Sequence, residues 1–196
     1  MAKMHWLEKL AVNSWWDKVL HKYFGIGPLL KRIQDEKFGK ILEIGAGSGI
    51  TTEFIHKKFP QANITATDYD PDQVEEARER LADTGIAVQQ ADATQLSFQD
   101  SSFDACFAIL VFHHIENFPK GILEIYRTLK PGGKFFVLDI QSKFWTLFHL
   151  RSFKSLNVTP GLFSKEEFES IVRQTGFRIL NHGGKWMFWM VAEKPS

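Results

Sequence analysis

The stretch Ile41-Leu42-Glu43-Ile44-Gly45-Ala46-Gly47-Ser48-Gly49 decides the fold of this chain. The apolar run at residues 40–44 predicts a buried strand, and residues 51–59 predict a helix that Pro60 ends. Between them stand three glycines, which let the backbone turn sharply and approach a ligand closely. A strand, a glycine-rich loop and a helix in this order predict an open α/β sheet with a ligand at the carboxyl ends of its strands.

The same alternation of short apolar runs and amphipathic segments continues to the end of the chain. Six more strands are predicted at residues 63–67, 86–90, 103–111, 134–139, 177–181 and 186–192. Three more helices are predicted at residues 72–82, 118–129 and 164–175. We therefore expect an α/β fold, a Rossmann-like three-layer sandwich with a mostly parallel seven-stranded sheet. Gly183-Gly184 between the last two strands predicts a C-terminal antiparallel hairpin.

Length and composition restrict the classes of function. The 196 residues suit one domain, which we place at residues 39–196 behind a helical extension at residues 1–38. A net charge of +1 gives no reason to expect a nucleic-acid partner. The one cysteine, Cys106, lies in an apolar run and is expected to be a buried, inert thiol. No stretch reaches the about 18 apolar residues of a membrane span, and the start lacks a signal-peptide core, so we expect a cytoplasmic protein.

The spacing of the glycines separates two classes of cofactor. A dinucleotide fingerprint has glycine at its first, third and sixth positions, whereas here glycine is fifth and the sixth residue is Ile50. Glu43 stands two residues before the first glycine, where its carboxylate would repel a pyrophosphate and attract an ammonium group. A nicotinamide-dependent oxidoreductase is therefore the weaker alternative.

The glycine segment resembles the first motif of class I S-adenosylmethionine-dependent methyltransferases, whose glycine-rich backbone faces the methionine part of the cofactor. The resemblance extends over about residues 39–192 and includes Gln90-Ala91-Asp92-Ala93, Phe103-Asp104 and the turn Lys130-Pro131-Gly132-Gly133. Within the family, the chain is most similar to the small-molecule methyltransferases that include the ubiquinone and menaquinone biosynthesis type.

The resemblance implies S-adenosyl-L-methionine as the cofactor and assigns roles to individual residues. It places Asp68 on the ribose, where two carboxylate oxygens suit two vicinal hydroxyls. It places Asp92 on the adenine amine, the amide of Ala93 on a ring nitrogen, and Tyr69 against the adenine. The cofactor-binding residues that it implies are Glu43, Gly45, Ala46, Gly47, Gly49, Asp68, Tyr69, Asp92, Ala93 and Ala108.

Two acids near this predicted site have structural alternatives. Asp70 is close to Asp68, but its position before Pro71 favours an N-cap role, with Gln73 completing a box-like cap. Asp92 would cap a loop if it did not meet the adenine.

Catalysis leaves a weaker signal than cofactor binding. Methyl transfer from a sulfonium is an in-line displacement, so the protein mainly positions the attacking atom, and a base is needed only if the acceptor loses a proton. His113 and His114, after the fourth strand, are weak catalytic candidates. We favour the alternative that one caps the next helix while the other packs beside the cofactor. No metal site is expected for them with Glu116, because consecutive side chains diverge in an extended chain.

The acceptor is expected to be a small molecule, and the aromatic residues leave open that it is apolar or lipid-like. Aromatic side chains in residues 144–153 and 186–190 either line its entrance or pack in the core. Tryptophans and lysines within residues 1–38 leave open a peripheral contact with a membrane surface. A non-catalytic cofactor-binding partner subunit is the other alternative, and the oligomeric state is not predicted.

Overall fold

A computed structural model describes residues 26–33, 36–141, 163–185 and 187–196. Within this part, helix α1 (Ile26–Arg32) precedes the sheet. The rest of the predicted N-terminal extension, Trp186 and nearly all of the aromatic segment at 141–163 lie outside the described residues. No helix in the described ranges is long and apolar enough to cross a membrane.

Seven strands form one sheet, as the sequence predicts. They are β1 (Lys40–Ile44), β2 (Asn63–Asp68), β3 (Ala87–Gln90), β4 (Phe103–Ile109), β5 (Leu129–Ile140), β6 (Arg178–Gly183) and β7 (Met187–Glu193). Their order is β3-β2-β1-β4-β5-β7-β6. All pairings among β1 to β5 are parallel, whereas β7 is antiparallel to both β5 and β6. The mostly parallel sheet and its C-terminal antiparallel hairpin are therefore confirmed.

Four further helices connect these strands close to the predicted positions. They are α2 (Ile50–Lys58), α3 (Pro71–Arg80), α4 (Phe118–Thr128) and α5 (Lys165–Gln174). Asp70 caps α3 by accepting a hydrogen bond from the amide of Asp72, as predicted. The predicted contribution of Gln73 to this cap is wrong, because the amide of Asp70 donates to Asp68 Oδ1 instead.

Two hydrophobic cores lie on opposite faces of the sheet, because successive side chains of a strand point to opposite sides. On β4, Cys106 and Ala108 belong to the core beneath α4 and α5, while Ala105 and Phe107 belong to the core beneath α1 and α2. Helices on both faces confirm the predicted three-layer arrangement. Strand β1 lies between β2 and β4, where the strand order reverses, so the loop after it opens at the usual ligand position of such sheets.

Candidate functional site

The glycine loop after β1 has a backbone conformation that disfavours residues with a side chain. Gly45, Gly47 and Gly49 have φ values of +66°, +54° and +84°, in the left-handed region that favours glycine. A Cβ on Gly45 would lie 2.1 Å from Val111 Cγ2, so this glycine also allows the loop to pack directly against the segment after β4. The amide of Ala46 donates to the carbonyl of Thr67 at 2.9 Å, which ties the same loop to the end of β2.

Glu43 lies beneath this loop and is fully buried. One of its carboxylate oxygens accepts a hydrogen bond from the Thr51 hydroxyl at the start of α2. Burial raises the pKa of the neighbouring Cys106 thiol well above its ordinary value, and the Glu43 carboxylate raises it further. Cys106 is thus the buried, inert thiol that the sequence predicts.

Asp68, at the end of β2, faces the glycine loop. Its Oδ2 accepts from the amide of Gly47 at 2.8 Å, and its Oδ1 accepts from the amide of Asp70 at 2.9 Å. Burial raises the pKa of this carboxyl, and the two amides oppose that effect. A carboxylate has about four acceptor positions, so Asp68 retains capacity to accept further hydrogen bonds beside these amides.

Asp92 and its neighbours follow β3 at the same edge of the sheet. Asp92 Oδ1 accepts from both the amide and the hydroxyl of Thr94 at 2.8 Å, which is the loop-capping role that the sequence leaves open. Burial would raise the pKa of Asp92, but these hydrogen bonds hold it below its usual value. Ala93 is buried, and the carbonyl of Tyr69 accepts from the Gln90 side chain at 2.9 Å. The residues predicted for the adenine therefore lie at adjoining strand ends.

Gln73 belongs to this region and was not predicted as a ligand-facing residue. It is 0% exposed, and neither Oε1 nor Nε2 has a hydrogen-bond partner among the described residues. A Cβ on Gly47 would lie 3.4 Å from its Oε1, so the amide faces the glycine loop. Because buried amides are normally hydrogen-bonded, an unpaired one indicates a ligand or an ordered water at this position. The sequence places Gln73 in the first turn of α3, where a glutamine fits a capping box, and gives no sign that its side chain faces the glycine loop.

The chemical groups of S-adenosylmethionine can be compared with the unpaired Gln73 amide and the glycine backbone of this site. Its adenosine carries hydroxyls and ring nitrogens that could pair with the Gln73 amide and with Asp68. Its amino group is a cation, which suits a loop built over the Glu43 carboxylate. The described residues therefore fit this cofactor.

His113 and His114 follow β4 on the other side of the glycine loop. They lie in a 3₁₀ turn (Phe112–His114), and their rings are 4.0 Å apart. The prediction that they diverge in an extended chain is wrong, because the turn brings the rings together. The prediction that one of them caps the next helix is also wrong, because the side chain of Asn117 caps α4.

A carboxylate that the sequence analysis did not consider meets the first of these histidines. His113 Nδ1 lies 2.6 Å from Asp139 Oδ1, and Asp139 is fully buried at the end of β5. Leu110, which leads into the turn, has φ +55°, an unusual value for a bulky residue and a kind of strain often found at active sites. Burial lowers the pKa of His114 to about 3, and proximity to His113 contributes. Within the described ranges, no group of three His, Cys, Asp or Glu residues could hold a metal ion.

Ala108, the remaining predicted residue, lies within β4. It is fully buried and pairs with Ile44 on one side and Val137 on the other. It therefore lies one residue before the end of β4, next to the strand that leads into the glycine loop. Together the structure brings the predicted residues of β1, β2, β3 and β4 to one edge of the sheet.

Comparisons with known proteins agree with this arrangement. A family model described as "Methyltransferase domain" matches residues 42–137. A ubiquinone/menaquinone biosynthesis C-methyltransferase of Desulfotalea psychrophila is 33% identical over 142 residues, which cover 66% of this chain and 58% of that protein. The chloroplastic 2-methyl-6-phytyl-1,4-hydroquinone methyltransferase 2 of Oryza sativa subsp. japonica is 30% identical over 152 residues, covering 75% and 42%.

A solved structure supports the fold independently of close sequence similarity. The S-adenosylmethionine-dependent methyltransferase from Aquifex aeolicus superposes with a TM-score of 0.77 at 18% identity, covering 98% of this chain and 100% of that one. The chain spans only 58% and 42% of the two sequence relatives, so their activities are not transferred with the fold. The family match, the motifs at the carboxyl edge and the shared fold lead to one conclusion. This chain belongs to the class I S-adenosylmethionine-dependent methyltransferase family.

Proposed function

We propose that the protein is an enzyme that transfers a methyl group from S-adenosylmethionine to a small, apolar acceptor by in-line displacement. The observation that carries this proposal is Asp68, a partly buried carboxylate that is hydrogen-bonded to the amide of Gly47. It joins the end of β2 to the glycine loop, so one ligand can contact both. A cofactor with a vicinal diol near its middle and a cationic amino acid at one end suits this arrangement.

The proposed orientation of the cofactor follows from the order of the strands. Asp68 would accept hydrogen bonds from the ribose hydroxyls, and Gln73 would supply an amide beside it. Tyr69, Asp92 and Ala93, on the β3 side, would receive the adenine. The glycine loop, with Gly45, Ala46, Gly47 and Gly49 above Glu43, and Ala108 on β4 would receive the methionine part. When bound, the cofactor supplies an electrophilic methyl group on a sulfonium, which is a good leaving group.

The class of acceptor is inferred from the relatives. By their names, one methylates carbon in quinone biosynthesis and the other methylates a phytyl-substituted hydroquinone. We infer a small acceptor with an aromatic ring and an apolar substituent for this chain as well. The near-neutral charge of the chain supports a small molecule over a nucleic acid.

Isothermal titration calorimetry of the purified protein with S-adenosylhomocysteine and with NAD⁺ tests the proposal. We expect binding of S-adenosylhomocysteine and no binding of NAD⁺. The reverse result would favour the oxidoreductase alternative. Binding of S-adenosylhomocysteine, without transfer of radiolabelled methyl to any component of a lipid extract, would favour a non-catalytic partner subunit.

Further inferences concern the organisation and the location of the protein. We infer that residues 39–196 form the cofactor-binding domain and that residues 1–38 form a helical extension. Packing of α1 residues Ile26 and Leu29 with Ile41 of β1 supports an extension that rests on this domain. Contact of residues 1–38 with a membrane surface and a cytoplasmic location stay predictions, which flotation with anionic liposomes and cell fractionation would test.

A further inference from the structure

The buried pair of His113 and Asp139 has a defined hydrogen-bond geometry. Asp139 Oδ1 lies 2.6 Å from His113 Nδ1 and accepts a hydrogen bond from the amide of Ile140 at 2.7 Å. Its Oδ2 accepts a hydrogen bond from the amide of Phe112 at 2.7 Å. Three donors from two segments thus hold the carboxylate in one orientation. The two side chains are 7% and 0% exposed.

The same geometry determines which nitrogen of His113 can act as a base. An ionised carboxylate can only accept hydrogen bonds, so Nδ1 must carry the proton that lies between the two groups. In a neutral imidazole the other nitrogen, Nε2, is then the basic one. His114, whose pKa is lowered to about 3, stays neutral near pH 7 and adds no positive charge beside this ring.

The location of the pair relative to the glycine loop indicates which part of a ligand it would meet. Strand β1 has β2 on one side and β4 on the other, so Asp68 and His113 lie on opposite sides of the loop. Val111, two residues before His113, packs against Gly45. With the adenosine on the β2 and β3 side, the reacting end of the cofactor is directed toward the β4 and β5 side, where the pair lies.

We propose that His113 is the general base of the methyl transfer and that Asp139 is the positioning residue that fixes its tautomer. The inference rests on the proposed function and deepens it, because it names the chemical class of the acceptor. A base of this kind suits a weakly acidic hydroxyl on an aromatic ring, as in a hydroquinone. A general base is not needed for an acceptor that attacks without losing a proton.

The proton balance of this step is complete. His113 Nε2 takes the hydroxyl proton, and the electron pair of the aryloxide makes a ring carbon attack the methyl carbon. The carbon–sulfur bond breaks with its electron pair left on sulfur, which becomes neutral. The methylated ring carbon loses its hydrogen to water as a proton and the ring becomes aromatic again. The aryloxide oxygen then recovers the proton from His113, so that one proton is released for each methyl transferred.

The first test uses a reduced 2-methyl-6-prenyl-1,4-hydroquinone as the acceptor. His113→Gln should lower kcat by about 100-fold or more, the usual contribution of a general base, and Asp139→Asn should lower it by about 10-fold or more. Both variants should keep the affinity of the wild type for S-adenosylhomocysteine within about threefold. The matched control is His182→Gln. It removes a histidine that lies as close to a carboxylate as His113 does, but far from the glycine loop, so kcat should stay unchanged.

The pH dependence provides a readout that a structural role would not change. Two titratable groups contact the His113 ring in the described part of the chain, Asp139 from β5 and His114 from the same turn. The kcat of the wild type should rise with pH through one ionisation, and this limb should be absent in His113→Gln. An unchanged pH limb in that variant, with normal cofactor affinity, would overturn the assignment of His113.

Nuclear magnetic resonance of histidine ring nitrogens tests the positioning role without any acceptor. The wild type should show the proton of His113 on Nδ1, and Asp139→Asn should lose this preference while the protein stays folded. A proton on Nε2 in the wild type would overturn the proposal even if the hydroquinone is not methylated. Failure to bind S-adenosylhomocysteine would instead contradict the proposed function, and the two failures are therefore distinguishable.

Discussion

Two histidine–carboxylate pairs of the same contact length lie in very different surroundings. His113 and Asp139 approach to 2.6 Å at the carboxyl edge of the sheet, with side chains 7% and 0% exposed. His182 of β6 and Glu169 of α5 also approach to 2.6 Å, with side chains 40% and 18% exposed. The buried pair is locked by two backbone amides, whereas Glu169 also meets Lys165 at 3.5 Å. Contact distance alone therefore says little about the role of an ion pair; burial and additional donors decide it.

The largest difference between the two pairs should appear in stability. Asp139→Ala would leave three N–H donors, two of them buried, without this acceptor, and we expect a loss of about 3–5 kcal/mol in the free energy of unfolding. Glu169→Ala, the matched change in the exposed pair, should cost at most about 1 kcal/mol. Urea denaturation measures both values. Similar losses in the two variants would mean that burial does not distinguish the pairs.

The second prediction concerns the packing between the buried pair and the glycine loop. Gly45→Ala should lower the free energy of unfolding by about 3 kcal/mol, since it combines left-handed backbone strain with overpacking against Val111. Gly85→Ala is the control, because Gly85 has φ +73° but no atom within 4 Å of the added Cβ. It should cost only about 1–2 kcal/mol. Equal losses in the free energy of unfolding for the two variants would show that the loop and Val111 move apart without strain.

The third prediction concerns cofactor binding, and it compares two carboxylates at opposite edges of the sheet. Asp68→Ala should weaken the binding of S-adenosylhomocysteine by about 1–3 kcal/mol, the scale of lost hydrogen bonds to a charged group. Asp104→Ala provides a contrast, because Asp104 binds the amides of Gly39 and Lys40 at the opposite, amino-terminal edge. Calorimetry should show that Asp104→Ala binds S-adenosylhomocysteine as tightly as the wild type does. An unaltered affinity of Asp68→Ala would exclude this carboxylate from the site.

The last prediction concerns the acid sensitivity of the buried edge. His114 has a pKa of about 3 in the folded protein and about 6.5 when unfolded. Between these values the unfolded chain binds the extra proton, so the free energy of unfolding should fall as the pH drops below about 6.5, by at most about 1.4 kcal/mol per pH unit. His114→Phe should remove this part of the slope. Denaturation curves at pH 4.5, 5.5 and 7 measure it, and parallel pH dependences of the two proteins would contradict the prediction.

The sequence analysis was most successful where the signal is local. The strands β1 to β5, the cap at Asp70 and the glycine turn of the hairpin depend on neighbouring residues, and the structure confirms them. It failed at Gln73, because the rule for capping boxes cannot show that the side chain turns inward toward a loop 26 residues earlier in the chain. The cofactor roles of the predicted residues stay predictions.

The sequence by itself determined the alternation of strands and helices, the glycine loop and the acids at the strand ends, because periodicity and turn chemistry act over a few residues. Only the tertiary structure decided that Asp139, 26 residues beyond His113, would meet its imidazole. That contact depends on β5 lying beside β4 with Leu138 level with Ile109, and on a 3₁₀ turn that directs the ring toward it. Strand order and register bring distant residues together, and no local pattern of residues encodes them.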